Sequence, residues 1–132
     1  MITHDQLVFI LNRVYPQLAH GQDYLVGHPM DPEAREQSGE PFLLAWPETV
    51  AQPDIAALIA SYPNYESDWL AIRAREDRNS RLRKSDWTQT GDAPLSNAGN
   101  WKTYRQALRD VPQQTGFPGT INWPAEPAGL EQ

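Results

Sequence analysis

Ser85 to Leu95 have the sequence SDWTQTGDAPL and open the most specific stretch of this chain. Beyond them, large aromatic side chains alternate with proline and glycine, at Trp101, Tyr104, Phe117 and Trp123. Because these rings do not recur at one helical or strand spacing, they suit the docking of extended backbone better than the filling of a regular core. The pattern indicates a binding surface, and it contains no catalytic motif.

Length and composition indicate a small folded protein with much irregular backbone. The chain has 132 residues, which fits one domain or two small subdomains. Its 12 prolines and 8 glycines shorten the helices and strands it can form. Its five tryptophans argue against disorder, because an unfolded chain rarely keeps so much aromatic surface.

Several classes of protein are excluded by what the sequence lacks. Without cysteine there is no disulfide framework, no thiolate nucleophile and no cysteine-ligated metal. The N-terminal residues lack the basic segment and the small-residue cleavage site of a signal peptide. No window approaches the roughly 20 apolar residues of a membrane span. A soluble cytosolic protein without membrane contact is expected.

Charge is distributed unevenly along the chain. The formal net charge is −6, and residues 1–65 contain only Arg13 and Arg35 against eight acids. Nine of the eleven basic residues lie between Arg73 and Arg109. The acidic total repels a polyanion, so nucleic acid is not an expected partner.

The first half predicts a helix, a hairpin and a second helix. Thr3 and Gln6 form a capping box before a helix from His4 to Val14, which ends before Pro16. Its apolar face has helical spacing, with Leu7, Ile10, Leu11 and Val14. Strands are predicted at Asp23–His28, with Tyr24 and Val26 on one side, and at Pro41–Trp46. A short helix follows Pro53 and runs to Tyr62.

The second half predicts two helices and a tail. The first, from Ser67 to about Lys84, has only a thin apolar seam. The second, from Ala98 to Val111, is amphipathic and carries Trp101, Tyr104, Leu108 and Val111 on one face. A proline-rich extended tail follows Pro112. The predicted fold class is therefore α+β, with an αββα module at 1–64 and a helical segment at 65–132.

Two residue patterns each allow a structural and a functional interpretation. The basic run between Arg73 and Lys84 is interrupted by Glu76 and Asp77, which favours a solvated helix face, or one that docks an acidic partner, over a nucleic-acid site. Four residues could in principle bind a metal, but their spacing matches no recurrent ligand pattern. They are His20, Asp23, His28 and Asp31. Neither a Gly-x-Ser-x-Gly turn nor a carboxylate pair in an apolar pocket is found. No enzyme, cofactor or metal is expected.

The residues from Arg81 to Pro127 resemble the phage tail fibre assembly chaperone family. The resemblance rests on ordered short motifs, which are Ser85-Asp86-Trp87-Thr88-Gln89, Asp92-Ala93-Pro94-Leu95, Trp101 with Tyr104-Arg105, Leu108-Arg109-Asp110, Gly116-Phe117-Pro118 and Trp123-Pro124. It implies a chaperone that binds the tail fibre protein, a trimer in such phages, and assists its folding, trimerisation or attachment. Such a protein acts in the host cytoplasm, with the virion tail as a second location.

The N-terminal part resembles XkdW-like phage tail proteins. The similar motifs are Val14-Tyr15-Pro16, Gly21-Gln22-Asp23-Tyr24, Phe42 to Trp46, and Gln52-Pro53-Asp54 before a helix. Together with the chaperone resemblance, it implies a phage tail accessory protein with a compact N-terminal module. A baseplate protein is a second candidate partner if the chain is an adaptor.

The chaperone resemblance and the aromatic pattern together predict a partner-binding set: Trp87, Asp92, Pro94, Trp101, Tyr104, Arg105, Phe117 and Trp123. Its aromatic rings anchor the partner, Arg105 supplies a bidentate polar contact, and Asp92 with Pro94 holds a turn. The alternative is a small core in which the tail folds over the amphipathic helix. Trp87 and Trp101 are expected to pack internally, and Phe117 and Trp123 to face the partner.

Two other functions stay open at this point. A structural adaptor or hinge between baseplate and fibre would use the same two-part layout. A carbohydrate-binding module would use the tryptophans as platforms, although those tryptophans belong to the chaperone-like motifs.

Overall fold

A computed structural model describes residues 1–91 and 95–128 of the chain. These residues form a small α+β protein with four α-helices and one two-stranded antiparallel sheet, which confirms the predicted class. In chain order the elements are α1 (His4–Val14), β1 (Leu25–Gly27), β2 (Phe42–Ala45), α2 (Ile55–Ala60), α3 (Glu66–Ser85) and α4 (Ala98–Arg109).

The chain divides into two compact units. Unit 1 contains Met1–Trp69 and unit 2 contains Leu70–Gln132, so the division falls inside α3. The domain limits predicted from the sequence, 1–64 and 65–132, stay a prediction.

Helix α1 has the boundaries that its capping box predicts. Thr3 Oγ1 accepts the N–H of Gln6 at 3.2 Å, and Gln6 Oε1 accepts the N–H of Thr3 at 2.8 Å. Leu7, Ile10 and Leu11 are fully buried, as their spacing predicts. Val14 is exposed, because the core at this end is closed by the ring of Tyr15, which follows the helix.

The hairpin in unit 1 has shorter strands than the sequence predicts. Val26 pairs with Leu43, and the register shifts between Leu25 and Val26. Pro41 has no N–H to donate to the ladder, so β2 begins after it. Trp46 follows β2, and its indole donates to the carbonyl of Val50 at 2.9 Å. The hairpin's inner side is as predicted, since Tyr24 and Val26 are buried beside α1 in the unit 1 core.

Unit 2 is built on α4. Trp101, Tyr104 and Leu108 are buried along one face, and Val111 continues that face in a 3₁₀ turn at Val111–Gln113. From α3, in contrast, only Ala74 and Ser85 are buried, as expected for a helix with a thin apolar seam.

After the 3₁₀ turn the chain is irregular and is held by side-chain hydrogen bonds. The Gln114 amide donates to the carbonyl of Asn122 and accepts its N–H, both at 2.8 Å. Asn97 donates to the carbonyl of Ala128 at 3.1 Å. Residues 114–128 therefore have a defined path without helix or strand.

Candidate protein-binding site

Arg105 closes the C-terminal end of α3. Its Nη1 donates to the carbonyl of Leu82 and to Ser85 Oγ, both at 2.7 Å, and its Nη2 lies 2.9 Å from Asp86 Oδ1. The last turn of a helix presents unpaired carbonyls and partial negative charge, which a guanidinium satisfies. This residue, predicted to contact a partner, is 9% exposed and makes its polar contacts inside unit 2.

The Ser-Asp-Trp-Thr motif ends the helix in the same network. Ser85 Oγ lies within 3.1 Å of the carbonyl oxygens of Arg81 and Leu82, and Thr88 Oγ1 donates to the Ser85 carbonyl at 2.6 Å. Ser85 and Thr88 are both buried. The motif therefore holds a 3₁₀ turn at Asp86–Gln89 that brings Trp87 to the end of α3.

Two of the predicted aromatic anchors form the interior of unit 2. Trp101 is fully buried and Tyr104 nearly so, with ring centroids 5.6 Å apart and planes at 90°. Among the described residues, the indole N–H of Trp101 and the Nε of Arg105 have no hydrogen-bond partner. These side chains lie in the core of unit 2, as the alternative interpretation of the aromatic pattern predicts.

Trp87 differs from the expectation that it packs internally. Its ring centroid lies 6.4 Å from that of Trp101, but 38% of the residue is exposed. Trp87 thus lies beside the buried aromatic cluster and presents much of its own surface to the solvent. An exposed ring that rests on a buried cluster has apolar surface available for a partner.

Phe117 and Trp123 are half-buried and rest on arginines of α3. The Arg75 guanidinium lies 5.2 Å from the Phe117 ring centroid, and that of Arg81 lies 4.2 Å from the Trp123 ring centroid. Both distances are within the range of cation–π attraction. Trp123 also packs against the cluster of Trp101, Tyr104 and Leu108. Neither ring stands free on an extended tail.

The basic run of α3 is therefore only partly a solvated face. Arg75 and Arg81 hold the tail, while Arg73 pairs with Glu76 at 3.3 Å. Arg81 also hydrogen-bonds Asp77 at 3.0 Å, and this bond raises the pKa of Arg81. The sequence does not reveal this role, because a charged helix pattern does not show which cations stack on rings from a distant segment.

An open groove lies between α4 and the tail of unit 2. Its volume is about 420 Å³, and its lining includes Thr103, Tyr104, Ala107, Pro124 and Glu126. Burial raises the pKa of the Tyr104 hydroxyl, and the Glu126 carboxylate raises it further, so this phenol stays neutral at ordinary pH. Thr103 and Ala107 were missed in the sequence. The pattern that could have identified them is a pair of small side chains at positions i and i+4, which leaves space on one face of the helix.

Local hydrogen bonds occupy most of the four residues considered as metal ligands. His20 Nε2 accepts the N–H of Val26 at 3.3 Å, and Asp23 accepts the N–H of Ala19 at 2.7 Å. Asp31 Oδ1 accepts N–H groups of the following turn at 2.8 and 2.9 Å. Across residues 1–91 and 95–128, no three histidine or acidic side chains are grouped to bind a metal.

Asp92 and Pro94 lie outside the described residues. In the part of the chain that the structure describes, no helix is long and apolar enough to cross a membrane.

Comparison with known proteins confirms both family resemblances. Residues 71–128 match the family model described as phage tail assembly chaperone protein, and residues 7–70 match that of the XkdW protein. Neither description names a catalytic activity. No curated protein and no solved structure matches the chain.

Proposed function

We propose that this protein is a phage tail assembly chaperone that binds the tail fibre protein through unit 2 and assists its folding, trimerisation or attachment. A role in phage tail assembly is supported by the family match over residues 71–128. The observation that carries the proposal is the exposed Trp87, held at the end of α3 by the Ser-Asp-Trp-Thr motif, which lies within the matched residues.

The proposed recognition surface has anchors and supports. Trp87 and the exposed parts of Phe117 and Trp123 anchor the fibre, and the groove between α4 and the tail receives neighbouring chain. Trp101, Tyr104 and Arg105 support these anchors from the interior. Asp92 and Pro94 stay predicted members of the site. Preorganised rings of this kind bind with little entropy loss, because their rotamers are already fixed.

The proposed mechanism is selective binding without nucleotide. Fibre chains rich in β-structure expose unpaired strand edges and apolar surface before they assemble, and such surface aggregates. A small protein that covers it stabilises the assembly-competent form by mass action. This work takes place in the host cytoplasm during particle assembly.

Co-expression of the fibre with and without this protein tests the proposal. We expect more soluble fibre trimer in its presence, measured by native gel and sedimentation. Trp87→Ala should lose this gain, while Ile72→Ala, at a residue of unit 2 with nearly equal exposure (37% against 38%), should keep it. Equal trimer yields with and without the protein would refute a chaperone.

A structural adaptor is the second candidate, and the two-part layout of the chain favours it. The two compact units match two different families of phage proteins. An adaptor would link the fibre to a second tail component, with a baseplate protein as the candidate, and would remain in the finished particle. Mass spectrometry of purified particles separates the two functions, since an adaptor is present in fixed stoichiometry and a chaperone is absent.

A further inference from the structure

The hairpin of unit 1 has an apolar outer face. Phe42 and Leu44 point away from the core side occupied by Leu43, because side chains alternate along a strand, and they are 43% and 63% exposed. A Cβ on Gly27 would lie 2.8 Å from the Leu44 side chain and 3.2 Å from the Phe42 ring. Both side chains therefore lie together over Gly27 and form one continuous patch rather than scattered apolar residues.

The edge of β2 next to this patch is open. The sheet contains β1 and β2 alone, so within the described residues no strand pairs with the other edge of β2. A shallow recess of about 180 Å³ is lined by the consecutive residues Leu43, Leu44, Ala45 and Trp46, with Gln52. Since consecutive side chains alternate between faces, a recess that touches all four follows the main chain along the strand edge.

The net charge of unit 1 indicates which kind of partner binds at this strand edge. Residues 1–69 contain ten acids against Arg13 and Arg35. The summed field attracts a cationic segment and opposes a second copy of the same acidic unit.

We infer that the open edge of β2, with Phe42 and Leu44, is the docking surface for an extended, basic segment of another protein. The segment adds as a third strand, so its main chain pairs with β2 and its alternate apolar side chains cover Phe42 and Leu44. Lysines or arginines that flank its apolar residues meet the acidic surroundings. The inference concerns unit 1 and does not depend on fibre binding by unit 2.

Three synthetic peptides with blocked termini test the inference against the full-length, isotope-labelled chain. KKVTVTVKK should shift the amide signals of Phe42 to Ala45 and slow their hydrogen exchange. EEVTVTVEE, with the same apolar pattern, should bind at least about tenfold more weakly at low salt. KKVTPTVKK should not bind measurably, because proline removes a ladder donor in the middle of the strand.

Two variants with the same change separate the surface from general charge effects. Leu44→Lys should weaken binding of KKVTVTVKK by about tenfold or more, through lost apolar contact and added repulsion. Ile72→Lys, at an exposed apolar residue of unit 2, should leave the affinity unchanged. The inference is overturned by absence of binding, by equal affinity for the lysine and glutamate peptides, or by shifts centred away from β2. It is also overturned if the free chain dimerises and Leu44→Lys dissociates the dimer.

Discussion

The two units bury their interiors by different means. Unit 1 has an apolar core with regular spacing, formed by Ile2, Leu7, Ile10, Leu11, Tyr24 and Val26. In unit 2, Trp101 and Tyr104 dominate the core, and Ser85, Thr88 and Arg105 are buried with them. Among the buried core residues of unit 1, aliphatic side chains outnumber the ring of Tyr24, whereas the core of unit 2 is dominated by rings and includes a polar network that closes a helix. In unit 2, a motif that is suited to binding a partner thus also stabilises the unit that contains it.

The largest expected effect is the loss of the central ring of unit 2. Trp101→Ala should lower the free energy of unfolding by about 4 kcal/mol, because a fully buried indole leaves a cavity. The counterpart in unit 1, Leu11→Ala, should cost about 3 kcal/mol. Urea denaturation followed by circular dichroism measures both. A loss below about 1 kcal/mol for Trp101→Ala would show that unit 2 does not depend on this ring.

The next effect concerns the polar closure of α3. Arg105→Met should cost about 3 kcal/mol, since it keeps the aliphatic stem but removes the buried guanidinium that donates to the Leu82 carbonyl and to Ser85 Oγ. Hydrogen exchange should speed up in the last turn of α3. Arg105→Lys should recover only part of the loss, because an ammonium cannot reproduce the fork geometry. Full stability of Arg105→Met would contradict the proposed closure.

A smaller effect compares the same substitution in two helices. Thr3→Ala in unit 1 should cost about 1 kcal/mol, because it removes the acceptor for the N–H of Gln6. Thr103→Ala, inside α4 of unit 2, should be neutral or slightly stabilising, since alanine favours a helix interior. Thermal denaturation of the two variants measures the contrast, and equal losses would show that the cap is not the cause.

The smallest expected effect is a pH dependence in unit 1. The N–H groups of Ala34 and then Glu33 lower the pKa of the Asp31 carboxyl, because they donate to its charged form. The contribution to stability is therefore present above the ordinary carboxyl pKa and is lost as the pH falls through the lowered value. An NMR titration should place the midpoint of Asp31 below the ordinary value of an aspartate side chain, and a midpoint at that ordinary value would contradict the turn geometry.

Sequence predicts the parts of this fold that depend on neighbouring residues. The capping box and the row of Leu7, Ile10 and Leu11 give α1 its bounds, and the α4 spacing identifies Trp101, Tyr104 and Leu108 as one buried face. Both follow from local rules of capping and helical period. The strands predicted from the sequence are longer than those in the structure, because the extent of pairing depends on a register shift between Leu25 and Val26 that one strand's pattern does not show.

The residue types of the candidate site could be predicted from the sequence, but the exposure of each side chain could not. Trp87 is expected from the sequence to pack internally, but it is exposed. Trp123 is expected to face the partner, and it is half-buried against the aromatic cluster. The partner contact predicted for Arg105 stays a prediction, and the sequence does not show its bond to a carbonyl 23 residues away. Which ring is covered depends on contacts between segments far apart in sequence, and a single sequence pattern does not contain that information.

The affinity of Trp87→Ala for the cognate tail fibre protein tests the central claim most directly. Isothermal titration should show an affinity loss of at least about tenfold, because an exposed, supported tryptophan is a typical hot spot. The thermal transition of the variant should stay close to that of the natural chain. If Trp87→Ala bound the fibre with unchanged affinity, the claim that unit 2 binds its partner through this ring would be contradicted.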